Sequence, residues 1–190
     1  MADLDTLRRP ALAALDPAPH GTPDAPVRLR EIAHVRKINL RGDPQDRGFL
    51  AAVGAALDLV LPTEPNMSAA RDGVTALWLG PDEWLLTGEV PPIALEGHHA
   101  SSVDVTDNST ILRLAGPRAR DVLVKGCPLD FHPSTFPVGK VAQSLIGPVD
   151  IIIHQVEADG FDLHVRRSFA EYLWLWLEDA GLEYSISTGV

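Results

Sequence analysis

The residues of this chain that could bind a metal or support catalysis are seven histidines, a single cysteine and a few neighbouring carboxylates. A protein-bound metal needs several ligands that converge at suitable spacing. His98 and His99 are adjacent, so their side chains diverge in an extended segment, whereas His154 and His164 lie on two arms of one predicted hairpin and could approach each other. No cysteine or carboxylate joins them in a metal-binding motif. We therefore expect structural histidines and no metal site.

Two further groups could provide a nucleophile or an acid–base pair. Cys127 lies in KGCPLDFHP close to His132, but Pro128 follows it directly and no glycine-rich segment surrounds it, which favours a buried thiol at a helix end. Asp104 and Asp107 in VDVTDNST could act as general acid and base. A polar turn between two strands is the simpler interpretation. The string LAGPRA predicts a helix start without a phosphate cradle. We predict no catalytic and no cofactor-binding residue.

Length and composition limit the remaining possibilities. The chain has 190 residues, 45% of them hydrophobic, and a mean hydropathy of +0.04, enough for one domain or two small halves with a sizeable core. Its net charge of −10 argues against nucleic acid as a partner. There is no apolar run of membrane-spanning length, no apolar signal core, and too few cysteines for an internal disulfide. These features predict a cytoplasmic protein without a membrane partner.

The pattern predicts an α+β fold: residues 1–28 as a Pro-rich arm, then one domain over 29–190, in two βαββ-like halves of about 29–100 and 101–190 with helices packed on antiparallel sheet. The arm is either disordered or ordered by a partner. Pro44, Arg47 and Leu50 recur at the same spacing as Pro117, Arg120 and Leu123, which together with a shared order of elements indicates duplication. The first half is predicted to contain a strand with Val35, Ile38 and Leu40, a helix from Asp43 (N-cap) and Pro44 to Leu57, and the strands Ala76–Leu79 and Trp84–Thr87. The second half is predicted to contain the strands Val103–Val105 and Ile111–Leu114, a helix from Gly116-Pro117 to Leu123, and a hairpin of Val149–Val156 and Phe161–Val165. It ends with a helix that begins at a capping box of Ser168 and Glu171, runs to Ala180 and is ended by Gly181.

The hairpin LWLGPDEWLL is apolar on both faces and carries Trp78 and Trp84. A strand of that kind must be covered on both sides. The helices of the chain are one cover, and the second half or another polypeptide is the other. Both tryptophans are therefore candidates for an interface.

The last helix, SFAEYLWLWLEDAG, is apolar around most of its circumference. At 100° per residue one face is predicted to form the core, and Trp174 and Leu175 fall on the polar side. Exposed Trp and Leu favour an interface with another protein. The alternative is that the arm or a loop covers them. The predicted core face consists of Phe169, Tyr172, Leu173, Trp176, Leu177 and Ala180.

Three strings in this order, LWLGPDEWLL, VDVTDNSTILRLAGPRARDVLVKGCPLDFHP and RSFAEYLWLWLEDAG, together resemble the gamma subunit family of heterotetrameric sarcosine oxidase over about residues 30–185. The resemblance implies a fold similar to the folate-binding aminomethyltransferase group. It also implies an accessory place in a flavoenzyme that oxidatively demethylates sarcosine to glycine, with hydrogen peroxide and formaldehyde or methylenetetrahydrofolate as products. The implied partners are alpha, beta and delta subunits, which would carry FAD, FMN, NAD and tetrahydrofolate.

Two other functions remain open at this point. A stand-alone folate-dependent aminomethyltransferase-like protein would need a longer chain to enclose a pteridine and a second substrate. Tetrahydrofolate binding that is lost on substituting Asp104 or Asp107 would favour it. A non-enzymatic ligand-binding module shares the lack of catalytic residues. A stable monomer whose own chain covers Trp174 would favour the module.

Overall fold

Two sheets packed face to face, with helices on their outer faces, form the α+β fold of the computed structural model, which describes residues 8–189. The elements in chain order are β1 (Val27–Ile32), β2 (Lys37–Arg41), α1 (Arg47–Leu57), β3 (Ser68–Arg71), β4 (Val74–Gly80), β5 (Glu83–Gly88), β6 (Ser101–Asp104), β7 (Ser109–Ala115), α2 (Ala119–Leu123), β8 (Val141–Ile146), β9 (Val149–Glu157), β10 (Gly160–Arg166), α3 (Arg167–Gly181) and β11 (Ile186–Thr188). The first sheet has the strand order β3-β4-β5-β2-β6, and the second has the order β11-β1-β7-β10-β9-β8. All neighbouring strands are antiparallel except the pair of β1 and β11.

Helix α1 covers the outer face of the first sheet. Phe49, Val53 and Leu57, four residues apart, are buried on one side of it, and the ring of Phe49 lies 6.1 Å from that of Trp84. The predicted start at Asp43 is wrong by three residues. Asp46 is the N-cap, because its carboxylate accepts the backbone N–H groups that open the helix.

Helices α2 and α3 cover the outer face of the second sheet. The predicted capping box of α3 is wrong: the N-cap is Arg166, without a side-chain cap bond, and Ser168 lies inside the helix. Strand β10 ends at Arg166 and the helix begins at the next residue, so no loop residue is left to act as a cap. Gly181 is the last helical residue, followed by a 3-10 turn at Leu182–Tyr184.

The inner face of the apolar hairpin lies against the second sheet. Leu77 and Leu85 pack with Val141 in a small core between the sheets, and Gln143 Nε2 donates to the backbone oxygen of Leu79 at 2.8 Å. The second half of the chain is therefore the other cover, one of the two that the sequence left open. Trp84 and Leu86 face the opposite way, into the core with α1.

The two sheets share a common order, β2-β5-β4-β3 in the first and β7-β10-β9-β8 in the second. Strand β1 precedes β2 in the chain but pairs with β7, and β6 precedes β7 but pairs with β2. Each half therefore places one strand in the sheet of the other half. The sequence analysis missed β1, β3, β8 and β11.

The Pro-rich arm packs on its own chain where the structure describes it. The side chain of Leu12 is only 3% exposed and belongs to the core of the second sheet. The carboxylate of Glu31, in β1, accepts the backbone N–H of Ala11 at 2.8 Å and of Leu12 at 3.3 Å. Disorder and ordering by a partner were the two states predicted for the arm, and packing on the chain itself was considered only as the alternative cover of the last helix. Residues 1–7 of the arm lie outside the described residues.

Across residues 8–189, no helix combines the length and the apolar character needed to cross a membrane.

Candidate functional site: the outer surface of the last helix

Two of the four predicted interface residues are enclosed by the chain itself. Trp84 is 0% exposed and Trp174 is 1% exposed, so neither side chain can touch a partner in this conformation. The indole N–H of Trp84 donates to the backbone oxygen of Pro62 at 2.8 Å. Trp78 is partly buried at the edge of the core with α1, and Leu175 is 47% exposed. Leu175 is thus the predicted residue with a free apolar surface.

The predicted orientation of α3 is wrong by about a quarter turn. Ala170 and Trp174 lie on the buried face together with Leu173 and Leu177, whereas Phe169 and Tyr172 are 44% and 46% exposed. The N-terminal arm allows this orientation. Leu12 lies in the same core cluster as Trp174, and a cavity of about 370 Å³ between the arm and the helix is lined by both residues. The arm is the cover that the sequence analysis named as the alternative to an interface.

Four apolar side chains therefore define the outer surface of α3: Phe169, Tyr172, Leu175 and the partly buried Trp176. Their spacing places them on one side of the helix. Two glycines lie beneath them. A Cβ atom at Gly126 would come within 2.4 Å of the Trp176 ring, and one at Gly147 would lie 3.5 Å from the Tyr172 hydroxyl oxygen. The two rings lie close to the backbone of neighbouring loops.

The interior between the sheets contains five buried or largely buried charged or titratable side chains, which we call the polar seam. Arg113 and Asp162 form a bidentate ion pair, with Nη2 and Oδ2 2.9 Å apart. Burial lowers the pKa of His154 and of His164 to about 4, so both rings are neutral at pH 7. The seam consists of Lys37, Arg113, His154, Asp162 and His164.

The two seam histidines do approach each other across β9 and β10, as expected, but they differ in hydrogen bonding. His154 Nε2 lies 2.9 Å from the hydroxyl oxygen of Ser68, which donates its own proton to the carbonyl of Gly139. His154 is therefore the donor, and it links the two sheets. His164 has no hydrogen-bond partner among residues 8–189. No group of three or more potential metal ligands occurs in that range.

The buried ammonium group of Lys37 is hydrogen-bonded to backbone oxygens rather than to a carboxylate. Its Nζ donates to the carbonyls of Val35 and Ser109, both at 3.0 Å, and burial lowers the pKa of its ammonium group. Its backbone N–H donates to the hydroxyl of Thr106 at 3.0 Å. Lys37 therefore fastens β2 to the turn before β7. This role is structural, and the sequence analysis did not single out the residue.

The remaining candidates from the sequence have local structural roles. Asp104 accepts the N–H of Thr106 at 2.9 Å, which holds the pKa of Asp104 below its usual value and forms the predicted polar turn. Asp107 pairs with Arg8 of the arm at 3.2 Å. Cys127 is 5% exposed, as expected for a buried thiol.

The local histidine does not activate that thiol. Cys127 donates to the hydroxyl of Ser144 at 3.6 Å, while His132 Nδ1 is 2.7 Å from the hydroxyl of Ser134. The arrangement lacks the bond between nucleophile and base that covalent catalysis requires.

Two larger clefts open on the surface of the protein. One of about 560 Å³ opens between the sheets, with an apolar wall from Leu85 and Ile152 and polar groups from His164 and Arg166. The other, of about 720 Å³, is lined by residues such as Arg41 and His99 near the start of α1. Neither cleft is lined by a cysteine or by a serine bonded to a histidine.

Comparison with known proteins gives consistent matches. The model of a family described as sarcosine oxidase, gamma subunit family, matches residues 41–183. Sarcosine oxidase subunit gamma of Corynebacterium sp. (strain U-96) is 35% identical over 97% of this chain and 95% of its own length. Sarcosine oxidase subunit gamma of Arthrobacter sp. is 33% identical over 95% of this chain and 93% of its own length.

Solved structures agree with these relatives. A chain of the heterotetrameric sarcosine oxidase from Corynebacterium sp. U-96, in complex with pyrrole 2-carboxylate, superposes with a TM-score of 0.83 at 33% identity, covering 94% of this chain and 97% of that one. The glycine cleavage system aminomethyltransferase T of Bartonella henselae, with a TM-score of 0.61 at 18% identity, shares the fold over 86% of this chain and 48% of its own. The chain belongs to the gamma subunit family of sarcosine oxidase.

Proposed function

We propose that this chain is the accessory gamma subunit of a heterotetrameric, flavin-dependent sarcosine oxidase, the assembly that oxidatively demethylates sarcosine to glycine. One observation carries the proposal. The chain matches a chain of a heterotetrameric sarcosine oxidase at a TM-score of 0.83, and the match covers 94% of one and 97% of the other. Proteins that align over nearly their full length at this identity share a fold.

The chain contributes no catalytic residue to the reaction under this proposal. FAD, FMN, NAD and tetrahydrofolate belong to the partner subunits, which we expect to be alpha, beta and delta chains. Hydrogen peroxide and formaldehyde, or methylenetetrahydrofolate, are the expected products of the assembly. The acidic composition, with a net charge of −10 and one cysteine, is in keeping with a cytoplasmic enzyme.

The interface candidates within this proposal are Leu175 and Trp78, which keep exposed or partly exposed surface. Trp84 and Trp174 would take part only after a rearrangement that uncovers them. The matching strand orders of the two sheets further support an origin by duplication of one βαβββ unit, with β1 and β6 exchanged between the units.

One observation favours a self-contained binding module instead. The arm of the chain covers Trp174, so one aromatic surface that could have met a partner is already closed. A stand-alone aminomethyltransferase is not favoured, because the relatives that match nearly the whole chain are gamma subunits of sarcosine oxidase.

The test is a purification from the native host through an affinity tag on this chain. We expect larger subunits to co-purify, and we expect the eluate to show flavin absorbance at about 450 nm. The separately expressed chain should be colourless and should not oxidise sarcosine. Turnover of sarcosine by the pure chain would overturn the proposal. A colourless, solitary chain from the native host would favour the binding module.

A further inference from the structure

Exposed large apolar side chains cluster on α3 and beside it. Of the nine in residues 8–189, three lie on α3 and a fourth lies at the end of α2, and both of the exposed aromatic residues are among them. Large apolar patches on a soluble domain mark interaction sites, whereas scattered apolar residues do not. The four are Val124, Phe169, Tyr172 and Leu175, and the other five are Val60, Val103, Val138, Leu145 and Leu182.

The aromatic side chains of the patch pack against the backbone of neighbouring loops. Trp176 lies over Gly126, two residues after the exposed Val124, and the Tyr172 hydroxyl lies close to Gly147. The aromatic rings are therefore held in place before any partner arrives. Aromatic side chains fixed in this way provide much of the energy of protein interfaces at a small loss of conformational entropy.

Acidic residues border the most exposed apolar position. Glu171 precedes Leu175 by one helical turn and Asp179 follows it by one turn, so a carboxylate lies on each side of the leucine. Neither carboxylate has a hydrogen bond or an ion pair to another part of residues 8–189. The complementary surface is an apolar groove with a basic side chain at each end.

A second copy of this chain does not fit that description. Each copy has a net charge of −10, so two copies repel each other, and the patch itself carries carboxylates where it would need cations. The match to a chain of a heterotetramer supplies an occupant of another kind. We propose that the outer surface of α3, with Val124, is the docking surface for a larger subunit of the oxidase, which presents an apolar groove with basic ends. This inference rests on the proposed function.

The experiment compares variants of the tagged chain in the native assembly. Tyr172→Glu and Leu175→Glu place charges in the apolar groove, and we expect the double variant to recover at least about tenfold less of the larger subunits than the wild-type chain does. Val60→Glu is the matched control, since Val60 is 85% exposed and lies outside the patch. It should recover the wild-type amount. Equal recovery by the double variant and the control would overturn the inference.

A second measurement does not depend on the folding of the variants. A photo-reactive benzoylphenylalanine at Tyr172 should cross-link to a larger subunit in the purified oxidase, and one at Val60 should not. Cross-linking between two copies of this chain, or none from Tyr172, would contradict the inference. Recovery of no larger subunit by the wild-type chain would instead contradict the proposed function itself, so the two failures are distinguishable.

Discussion

The polar seam between the sheets and the outer surface of α3 both depart from the usual distribution of side chains, but in opposite directions. Charged and titratable side chains are buried in the seam, where each ionised group has a counter-ion or backbone oxygens, whereas aromatic and aliphatic side chains are exposed on α3. A buried polar group is tolerated when it is paired. An exposed apolar cluster, in contrast, has no neighbour within the chain that removes it from water. The chain itself thus supplies partners for every ionised group of the seam, where His164 is the neutral residue without a hydrogen-bond partner among residues 8–189, whereas a cover for the α3 surface must come from outside the chain.

The largest expected effect in this comparison is acid destabilisation through the seam histidines. The pKa of both is lowered by burial to about 4, and is further affected by Asp162, which raises it, and Arg113, which lowers it. The pKa of an unfolded histidine is about 6.5, so the unfolded chain binds more protons between pH 6.5 and pH 4. Stability is therefore fully present above pH 6.5 and falls as the pH drops to 4, by roughly 3 kcal/mol for each histidine.

Urea unfolding at several pH values measures this slope. The variants His154→Gln and His164→Gln should each flatten the curve between pH 6.5 and pH 4, whereas His99→Gln, which lies outside the seam, should leave it unchanged. If the two seam variants keep the wild-type slope, the buried histidines do not stay neutral in the folded protein.

The next effect comes from breaking the ion pair of the seam. Asp162→Asn leaves the guanidinium of Arg113 largely buried without its counter-ion, and we expect about 3 kcal/mol of lost stability in urea at pH 7. Asp121→Asn is the control, because Asp121 pairs with Arg118 on the surface. Solvent screens that pair, so no measurable change is expected. Equal effects of the two substitutions would mean that the seam does not exclude water.

The next prediction concerns the arm, which covers the buried side of α3 at Trp174. Leu12→Ala removes the side chain that packs in the same cluster as Trp174, and should lower stability by about 2 kcal/mol. Trp174 fluorescence should shift to longer wavelength as water reaches the ring. Ala14→Ser, at an exposed position of the arm, is the control. An unchanged spectrum in the Leu12 variant would show that the arm is not what covers Trp174.

The smallest effect is expected on the outer side of the same helix. Leu175→Ser in the separate chain should change the free energy of unfolding by less than about 1 kcal/mol, because almost half of the side chain is already in water. Leu173→Ser, on the buried side, should be several times more harmful. A large loss from Leu175→Ser would place that leucine in the chain's own core and weaken its role in docking.

Local patterns predicted much of the fold. The hairpin turns at Pro81-Asp82 and Asp159-Gly160, the helix after Gly116-Pro117 and the buried thiol of Cys127 are where the sequence indicated. Each depends on the conformational preferences of a few consecutive residues. Strand β3, Ser-Ala-Ala-Arg, was missed because small residues give no strand signal, and it forms through pairing with β4.

The candidate site was predicted in part. Leu175 was identified as exposed, but Trp174 was placed on the wrong side and Phe169 and Tyr172 were assigned to the core. A helix with apolar residues around most of its circumference has two plausible buried faces, and hydrophobic periodicity does not choose between them. The apolar Leu12 in the arm was the one signal in the sequence for a second cover over α3.

The sequence by itself determined the α+β class, the acidic net charge and the family membership suggested by three strings of residues. It did so because turn chemistry, helix spacing and composition are properties of neighbouring residues. Only the tertiary structure decided which side of α3 is buried, that β1 and β6 cross between the sheets, and that Lys37, His154 and His164 share one interior. Those features depend on contacts between residues far apart in the chain, where the pairing of surfaces, and not local preference, sets the free energy.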